Sequence, residues 1–243
     1  MVIAHRGFSG AAPENTLAAF QKAIDVGSDM LELDVHFSMD REVVVIHDET
    51  LERTTNGRGQ VVDLALKELK KLDAGFRFGP QFSGERIPTL KEVLELAKGK
   101  ILVNIEIKNP AHGRYFISEL ADRAWQEVKK AGMVHQVIFS AFNPAALERI
   151  REKTPRSRVA LLYHKPWESP REVTGGDSYA ILNLRNIHLT KNKIAKIHQA
   201  GMQVNVYTVN PVEEMEQFVQ WGVDGIITNH PDRLIKILQK KFP

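Results

Sequence analysis

Two histidines in this sequence lie at the ends of short apolar segments, where their side chains could exchange protons. His5 follows the apolar start of the chain, and His47 lies near the end of the segment "VVVIHD". Imidazole titrates near neutral pH, so two histidines on opposite sides of a reacting centre can act as general base and general acid. We take His5 and His47 as that pair. The other seven histidines are interpreted as hydrogen-bonded structural residues: His36, His112, His135, His164, His188, His198 and His230.

Three acidic residues are placed by strand alternation on faces that could meet. In "MLELDVHF", alternation puts Glu32 and Asp34 on one face, and in "ILVNIEIK" it puts Asn104, Glu106 and Lys108 on one face. Three carboxylates close together in a partly buried space could not all stay ionised without a compensating charge. We therefore expect Glu32, Asp34 and Glu106 to hold one divalent cation. The alternative is that these acids face solvent on an antiparallel sheet, which their apolar neighbours disfavour.

The absence of cysteine limits the kind of cation. Oxygen ligands favour Mg²⁺ or Ca²⁺, with Mn²⁺ as a further candidate. Arg6 and Lys108 would add positive charge beside the ion, and a guanidinium, an ammonium and a divalent cation around one point match a phosphoryl group. A purely structural ion pair of Arg6 or Lys108 with one of the acids is the alternative.

Strand and helix patterns alternate along the chain and must position these residues. Strand candidates occupy residues 2–5, 30–35, 101–108, 136–140, 158–163, 180–184, 203–209 and 224–229. Helix candidates occupy residues 16–26, 89–98, 114–131, 144–153, 169–174, 190–200, 211–220 and 231–240. This alternation predicts an α/β protein, a closed (β/α)₈ or TIM barrel, in preference to an open doubly wound sheet. The working groups of such a barrel come from the carboxyl ends of its strands.

One segment does not fit the repeat. Residues 43–48 also have a strand pattern, but the turn before them is too short for a parallel crossover, so we expect an antiparallel hairpin arm projecting from the second strand. That arm would return His47 to the site. Residues 49–88 are interpreted as a small insertion over one mouth of the barrel, within a single domain of residues 1–243.

Composition excludes several classes of protein. The net charge is only +3, and the basic residues are scattered, so we expect no nucleic-acid partner. No stretch approaches the roughly 20 apolar residues of a membrane helix, and the start of the chain lacks the pattern of a signal peptide. We expect a cytoplasmic protein with no membrane insertion, and the sequence carries no signal for its oligomeric state.

The linked motifs resemble a known family. "HRG", followed by "PENTLAAFQKAIDVGSDMLELDVHFSMDREVVVIHDETLERTTNGRGQ", closely resembles the glycerophosphodiester phosphodiesterase family, and "VNIEIK" and "GVDGIITNHPD" agree with it. The resemblance implies a (β/α)₈ barrel with a small insertion after strand two. It also implies metal-assisted hydrolysis of small glycerophosphodiesters, such as glycerophosphocholine and glycerophosphoethanolamine, to sn-glycerol 3-phosphate and an alcohol.

Roles for individual residues follow from matching the motifs of this sequence to those of the family. The resemblance implies proton transfer by His5 and His47, metal ligation by Glu32, Asp34 and Glu106, and phosphate contacts by Arg6 and Lys108. Two departures are small: Ser28 stands where alanine is usual, and Tyr207 stands where tryptophan is common. The second bears on how the glycerol or the alcohol packs.

Two other functions remain as alternatives. One is a related lipid phosphodiesterase of the phospholipase C or D type, which would need an exposed apolar rim that the sequence does not reveal. The other is a non-catalytic barrel that binds phosphate esters. The nucleophile is also open, since water or the adjacent glycerol hydroxyl could attack phosphorus. The sequence does not assign which histidine is the acid. It also leaves open whether an apolar wall at the site is formed by four aromatic residues or whether these pack elsewhere: Phe76, Phe78, Phe82 and Trp167.

Overall fold

Parallel strands with helices between them form the framework of the protein. The computed structural model describes residues 1–109, 116–154 and 158–241. Within these residues eight parallel strands pair in one closed sheet: β1 (Val2–Ala4), β2 (Met30–Phe37), β4 (Leu102–Ile107), β5 (Val137–Ala141), β6 (Val159–Tyr163), β7 (Ile181–Arg185), β8 (Gln203–Tyr207) and β9 (Gly225–Thr228). Strand β1 pairs with both β2 and β9, which closes the barrel. The predicted TIM barrel is confirmed.

Helices follow the strands and cover the outside of the barrel. Their bounds are α1 (Leu17–Asp25), α3 (Leu90–Ala97), α4 (Ile117–Ala131), α5 (Pro144–Lys153), α6 (Pro170–Thr174), α7 (Lys191–Gln199), α8 (Val212–Trp221) and α9 (Pro231–Lys241). Polar residues start several of them: the hydroxyl of Thr16 accepts a hydrogen bond from Ala19 N, and Thr89 forms a capping box with Glu92. The predicted start of the third helix candidate, at residue 114, and the interpretation of His112 lie outside the described residues. No helix of the described residues is long and apolar enough to cross a membrane.

The hairpin expected after the second strand is present. Strand β3 (Val43–Val45) pairs antiparallel with the end of β2, with Val45 opposite Val35. The chain then stays against β2, because Ile46 N donates to Asp34 O at 3.1 Å. This pairing places the next residue, His47, beside the carboxyl end of β2.

Residues 49–88 contain a short helix α2 (Leu66–Leu69) and two 3₁₀ turns. They have a small apolar cluster of their own, in which Leu51, Leu69 and Ile87 pack against Val44 and Ile46 of the hairpin. The cluster ties this segment to the arm that carries His47. Its boundaries as an insertion, and the single-domain organisation of residues 1–243, stay predictions.

The interior of the barrel changes from apolar to polar along its axis. A cluster that includes Ile3, Met30 and Ile181 fills the amino-terminal part. Buried polar side chains lie further along the strands: Glu32, Asn104, Ser140, Asn183 and Asn205. The main core, which includes Trp167, lies between the sheet and the helices. Polar groups inside the barrel therefore gather toward the carboxyl ends of the strands, as the fold predicts.

Candidate active site

Three buried carboxylates meet inside the barrel. One oxygen each of Glu32, Asp34 and Glu106 lies within 4.8 Å of the others, and the three residues are 4%, 1% and 8% exposed. The pairing of β2 with β4 produces this contact, since it sets Asp34 opposite Glu106 and Glu32 opposite Asn104. The acids predicted to converge are therefore brought together, in an arrangement that could hold a metal ion.

The negative charges of the three carboxylates repel one another. Burial, reinforced by the charge of Asp34, raises the pKa of Glu106 to about 7 and that of Glu32 well above its ordinary value. Burial would also raise the pKa of Asp34, but the positive charges of Lys108 and Arg6 outweigh it and hold that pKa well below its usual range. The side chains of Arg6 and Lys108 thus offset only part of the repulsion among the three carboxylates. The buried Oδ1 of Asn104 also has no hydrogen-bond partner among the described residues, so the site fits a hard cation.

Arg6 and Lys108 both contact the acids. The backbone of Arg6 is left-handed, with φ of 56°, and its N–H donates to Glu32 at 2.9 Å. Its guanidinium pairs with Glu14 at 2.8 Å and lies 3.5 Å from Asp34. Lys108 Nζ lies 2.8 Å from Glu106 and 3.4 Å from Asp34. Both cations therefore form ion pairs with the acids and also lie where an anionic ligand would meet them.

The two candidate histidines are each held through Nδ1. His5 Nδ1 lies 2.6 Å from the amide oxygen of Asn229, and His47 Nδ1 lies 2.6 Å from the carboxylate of Asp48. Both rings line one cavity of about 150 Å³. With Nδ1 donating to these oxygens, Nε2 is the nitrogen of each ring that could exchange a proton with a ligand.

The two rings differ in their electrostatic surroundings. Burial, aided by Arg6, lowers the pKa of His5 to about 4. Burial also lowers the pKa of His47, although Asp34 and Asp48 oppose this. A carboxylate partner stabilises an imidazolium better than an amide does, so His47 is the ring that holds a proton more readily.

Sequence reasoning missed several residues that support the site. Asn15 adopts φ of 56° and donates from Nδ2 to Asp34 at 2.9 Å. Arg53 donates to Glu14 at 2.7 Å and also pairs with Asp48. One guanidinium therefore contacts both the carboxylate that pairs with Arg6 and the carboxylate that pairs with His47. Periodicity carries no signal for these pairs, although the cluster of polar residues after His47 marks the segment.

A second, larger cavity adjoins the first. It measures about 340 Å³ and is lined by His36, Glu49, Asn109, Phe142 and His164. The two cavities share lining residues at the candidate site: His47, Glu106, Lys108 and Phe142. A cavity of about 530 Å³ between α8 and α9 lies outside the barrel and contains none of the candidate residues.

Large apolar side chains are exposed around the carboxyl end of the barrel. Five such side chains lie in loops at that end or within residues 49–88, and they are 81%, 63%, 59%, 42% and 37% exposed: Phe116, Ile187, Phe76, Phe78 and Phe142. Sequence analysis found no such rim, because periodicity does not report the exposure of loop residues. Trp167 is instead buried in the main core, and Phe82 packs edge-on against Phe78 at 5.3 Å.

Comparison with known proteins gives consistent results. A family model described as the glycerophosphoryl diester phosphodiesterase family matches residues 5–233. A glycerophosphodiester phosphodiesterase of Caldanaerobacter subterraneus subsp. tengcongensis is 41% identical over 99% of this chain and 98% of that relative. A glycerophosphodiester phosphodiesterase of Bacillus altitudinis is 33% identical over 98% of each chain.

Solved structures agree with these relatives. One is an Oleispira antarctica phosphodiesterase in complex with the product sn-glycerol-3-phosphate. Its sequence is 30% identical to this chain, and the TM-score is 0.87 over 98% of this chain and 96% of that chain. A glycerophosphodiester phosphodiesterase from Agrobacterium tumefaciens is also 30% identical, with a TM-score of 0.82 over 96% of this chain and 98% of that one.

Proposed function

Since the chain belongs to the glycerophosphoryl diester phosphodiesterase family, we propose that it hydrolyses small glycerophosphodiesters to sn-glycerol 3-phosphate and an alcohol. Glycerophosphocholine and glycerophosphoethanolamine are the proposed substrates. The observation that carries the proposal is that two histidines, Arg6, Lys108 and two of the three clustered carboxylates line one cavity. The product bound by the Oleispira antarctica relative supports the glycerol 3-phosphate half.

Glu32, Asp34 and Glu106 are the proposed ligands of one divalent cation, Mg²⁺ or Ca²⁺, with Mn²⁺ as a third candidate. When bound, such an ion would act as a Lewis acid that polarises a phosphoryl oxygen. It would also supply the positive charge that the crowded carboxylates lack. Asn15 would keep Asp34 oriented through the hydrogen bond of 2.9 Å.

Arg6 and Lys108 are proposed to bind the phosphodiester anion. Each is fixed by carboxylates on one side, Arg6 by Glu14 and Lys108 by Glu106, and both line the cavity. Preorganised cations stabilise the charge that grows on phosphoryl oxygens as the nucleophile attacks. Replacing either should therefore reduce kcat as well as substrate affinity.

Proton transfer is proposed to use both histidines in fixed roles. His5 starts neutral at pH 7 because burial lowers its pKa to about 4, so it suits removal of a proton from the nucleophile. His47, paired with Asp48, suits protonation of the departing alcohol oxygen. The nucleophile is either water or the adjacent glycerol hydroxyl, and accumulation of a cyclic glycerophosphate in a histidine variant would identify the second route.

A second candidate activity is hydrolysis of lysophospholipids. The exposed apolar side chains at the carboxyl end of the barrel favour it, because an acyl chain attached to the glycerol would need an apolar surface beside the site. The phosphodiester chemistry would be unchanged. A cytoplasmic location stays a prediction from the sequence.

One assay tests both activities. Purified protein is incubated with glycerophosphoethanolamine or with lysophosphatidylethanolamine, each with Mg²⁺, Ca²⁺, Mn²⁺ or EDTA, and release of ethanolamine is followed. We expect turnover of glycerophosphoethanolamine that EDTA abolishes. Folded protein that releases no ethanolamine from either substrate under any cation would contradict the proposal, and turnover of the lipid alone would favour the second activity.

A further inference from the structure

The two adjoining cavities would receive the two arms of a phosphodiester. His47, Glu106, Lys108 and Phe142 line both of them, so the proposed phosphate position lies at their junction. This inference rests on the proposed function. A diester bound at the junction would extend one alcohol into the cavity of about 150 Å³ and the other into the cavity of about 340 Å³.

The smaller cavity suits the glycerol. Ser140 and Asn183 line it and are fully buried, and each has a side-chain polar atom with no hydrogen-bond partner among the described residues. Buried polar atoms of this kind are satisfied by ligand hydroxyls or by water. The glycerol is the same in every substrate, so a small cavity of fixed shape can serve it.

The larger cavity has a different lining. The half-buried carboxylate of Glu49 borders it and has no hydrogen bond or ion pair among the residues that the structure describes. The backbone of Glu49 is fixed, since its carbonyl accepts from Val61 N at 2.8 Å. Phe142 adds an aromatic ring, whose centroid lies 5.3 Å from that of His164.

Among the described residues that line this cavity, the charged amine is paired with a carboxylate other than that of Glu49. Lys108 Nζ lies 2.8 Å from Glu106 and 3.4 Å from Asp34, and it forms no ion pair with Glu49. A carboxylate and an aromatic ring that line the same cavity can together bind an ammonium group, through ion pairing and cation–π attraction.

We propose that Glu49 and Phe142 form a subsite for the cationic head group of the alcohol that leaves, so that the enzyme prefers glycerophosphodiesters of amino alcohols over those of neutral alcohols. The preference arises when the substrate binds, before any bond is broken. It should therefore appear mainly in KM.

The test replaces the charge of Glu49 and nothing else. Wild type, Glu49→Gln and Glu49→Lys are compared on glycerophosphocholine, glycerophosphoethanolamine and the neutral glycerophosphoglycerol. We expect wild type to favour the two cationic substrates. Relative to glycerophosphoglycerol, kcat/KM for them should fall about two- to fivefold in Glu49→Gln, the effect of losing one partly exposed charge, and further in Glu49→Lys.

Glu213→Gln is the matched control. Glu213 is an exposed glutamate in the first turn of α8, at the same end of the barrel, and it lines neither cavity. The inference is overturned if the ratio stays the same in Glu49→Gln, if Glu213→Gln changes it equally, or if wild type has no preference for the cationic substrates. A protein that hydrolyses all three without preference would leave the proposed function intact, whereas one that hydrolyses none of them would refute the proposed function instead.

Discussion

At the scale of single residues, the partner of each histidine Nδ1 decides what the ring can do. His47 donates to a carboxylate, Asp48, whose pKa is lowered to about 2 by hydrogen bonds from Arg53 and His47 that outweigh its burial. His5 donates to the neutral amide of Asn229 and lies beside Arg6. An ionised partner stabilises the protonated ring, and an amide beside a cation stabilises the neutral one. The same side chain thus has two different roles at two sides of one cavity.

A substrate with a good leaving group separates these roles. With glycerophosphoethanolamine, His5→Ala and His47→Ala should each lose activity by about 10² or more. With a glycerophosphodiester of p-nitrophenol, whose departure needs no proton, His47→Ala should recover most of its activity and His5→Ala should not. The measurement is p-nitrophenolate release by folded variants, checked by circular dichroism. Recovery in His5→Ala alone would reverse the assignment.

At the scale of elements, the site depends on a segment outside the barrel repeat. Strands β2 and β4 bring the acids together, while β3 and the segment after it supply His47, Asp48 and Arg53. The guanidinium of Arg53 joins Asp48 to Glu14, which in turn pairs with Arg6. One side chain therefore fixes the proposed acid and the proposed phosphate ligand relative to each other.

Replacing Arg53 should weaken the positioning of both His47 and Arg6 without unfolding the barrel. The side chain of Arg53 is 46% exposed and touches no reacting group in the proposed mechanism, so Arg53→Gln should change Tm little. It should lower kcat about tenfold, the lower end of the loss of activity seen when a residue that orients site residues is replaced. Arg58→Gln removes the same charge from an exposed arginine of the same segment and is the control. Equal activity of the two variants would show that Arg53 does not position the site.

Much of this arrangement could be predicted because it follows from local rules. Alternation along β2 and β4 fixes which acids face inward, and the short turn before β3 requires a hairpin. The pairs of Asn229 with His5 and of Arg53 with Glu14 could not be predicted, since they join residues distant in sequence. The exposure of Phe116 depends on how its loop packs, which the periodicity of the sequence does not indicate.

At the scale of the whole molecule, the acids tie the stability of the fold to pH and to the cation. Burial and the charge of Asp34 raise the pKa of Glu106 to about 7, compared with about 4.3 in an unfolded chain. Without a cation, the folded protein therefore binds more protons than the unfolded chain between these values. Stability contributed by this group is present at low pH and is lost as pH rises through that window. A bound divalent cation would remove the loss by favouring the ionised carboxylates.

The stabilisation provided by the cation should therefore grow with pH. We expect the difference in Tm between protein with Mg²⁺ or Ca²⁺ and protein with EDTA to be small at pH 5 and several degrees larger at pH 8. Burial lowers the pKa of His36 to about 4, which affects stability in the opposite direction below about pH 6.5, but this contribution is common to both samples and cancels in the difference. Glu106→Gln should reduce the pH dependence, because the amide neither titrates nor offers a charged ligand, while Glu32, whose pKa is also raised by burial, keeps the remainder. A difference in Tm that stays constant from pH 5 to pH 8 in the wild type would mean that the cation does not bind these carboxylates.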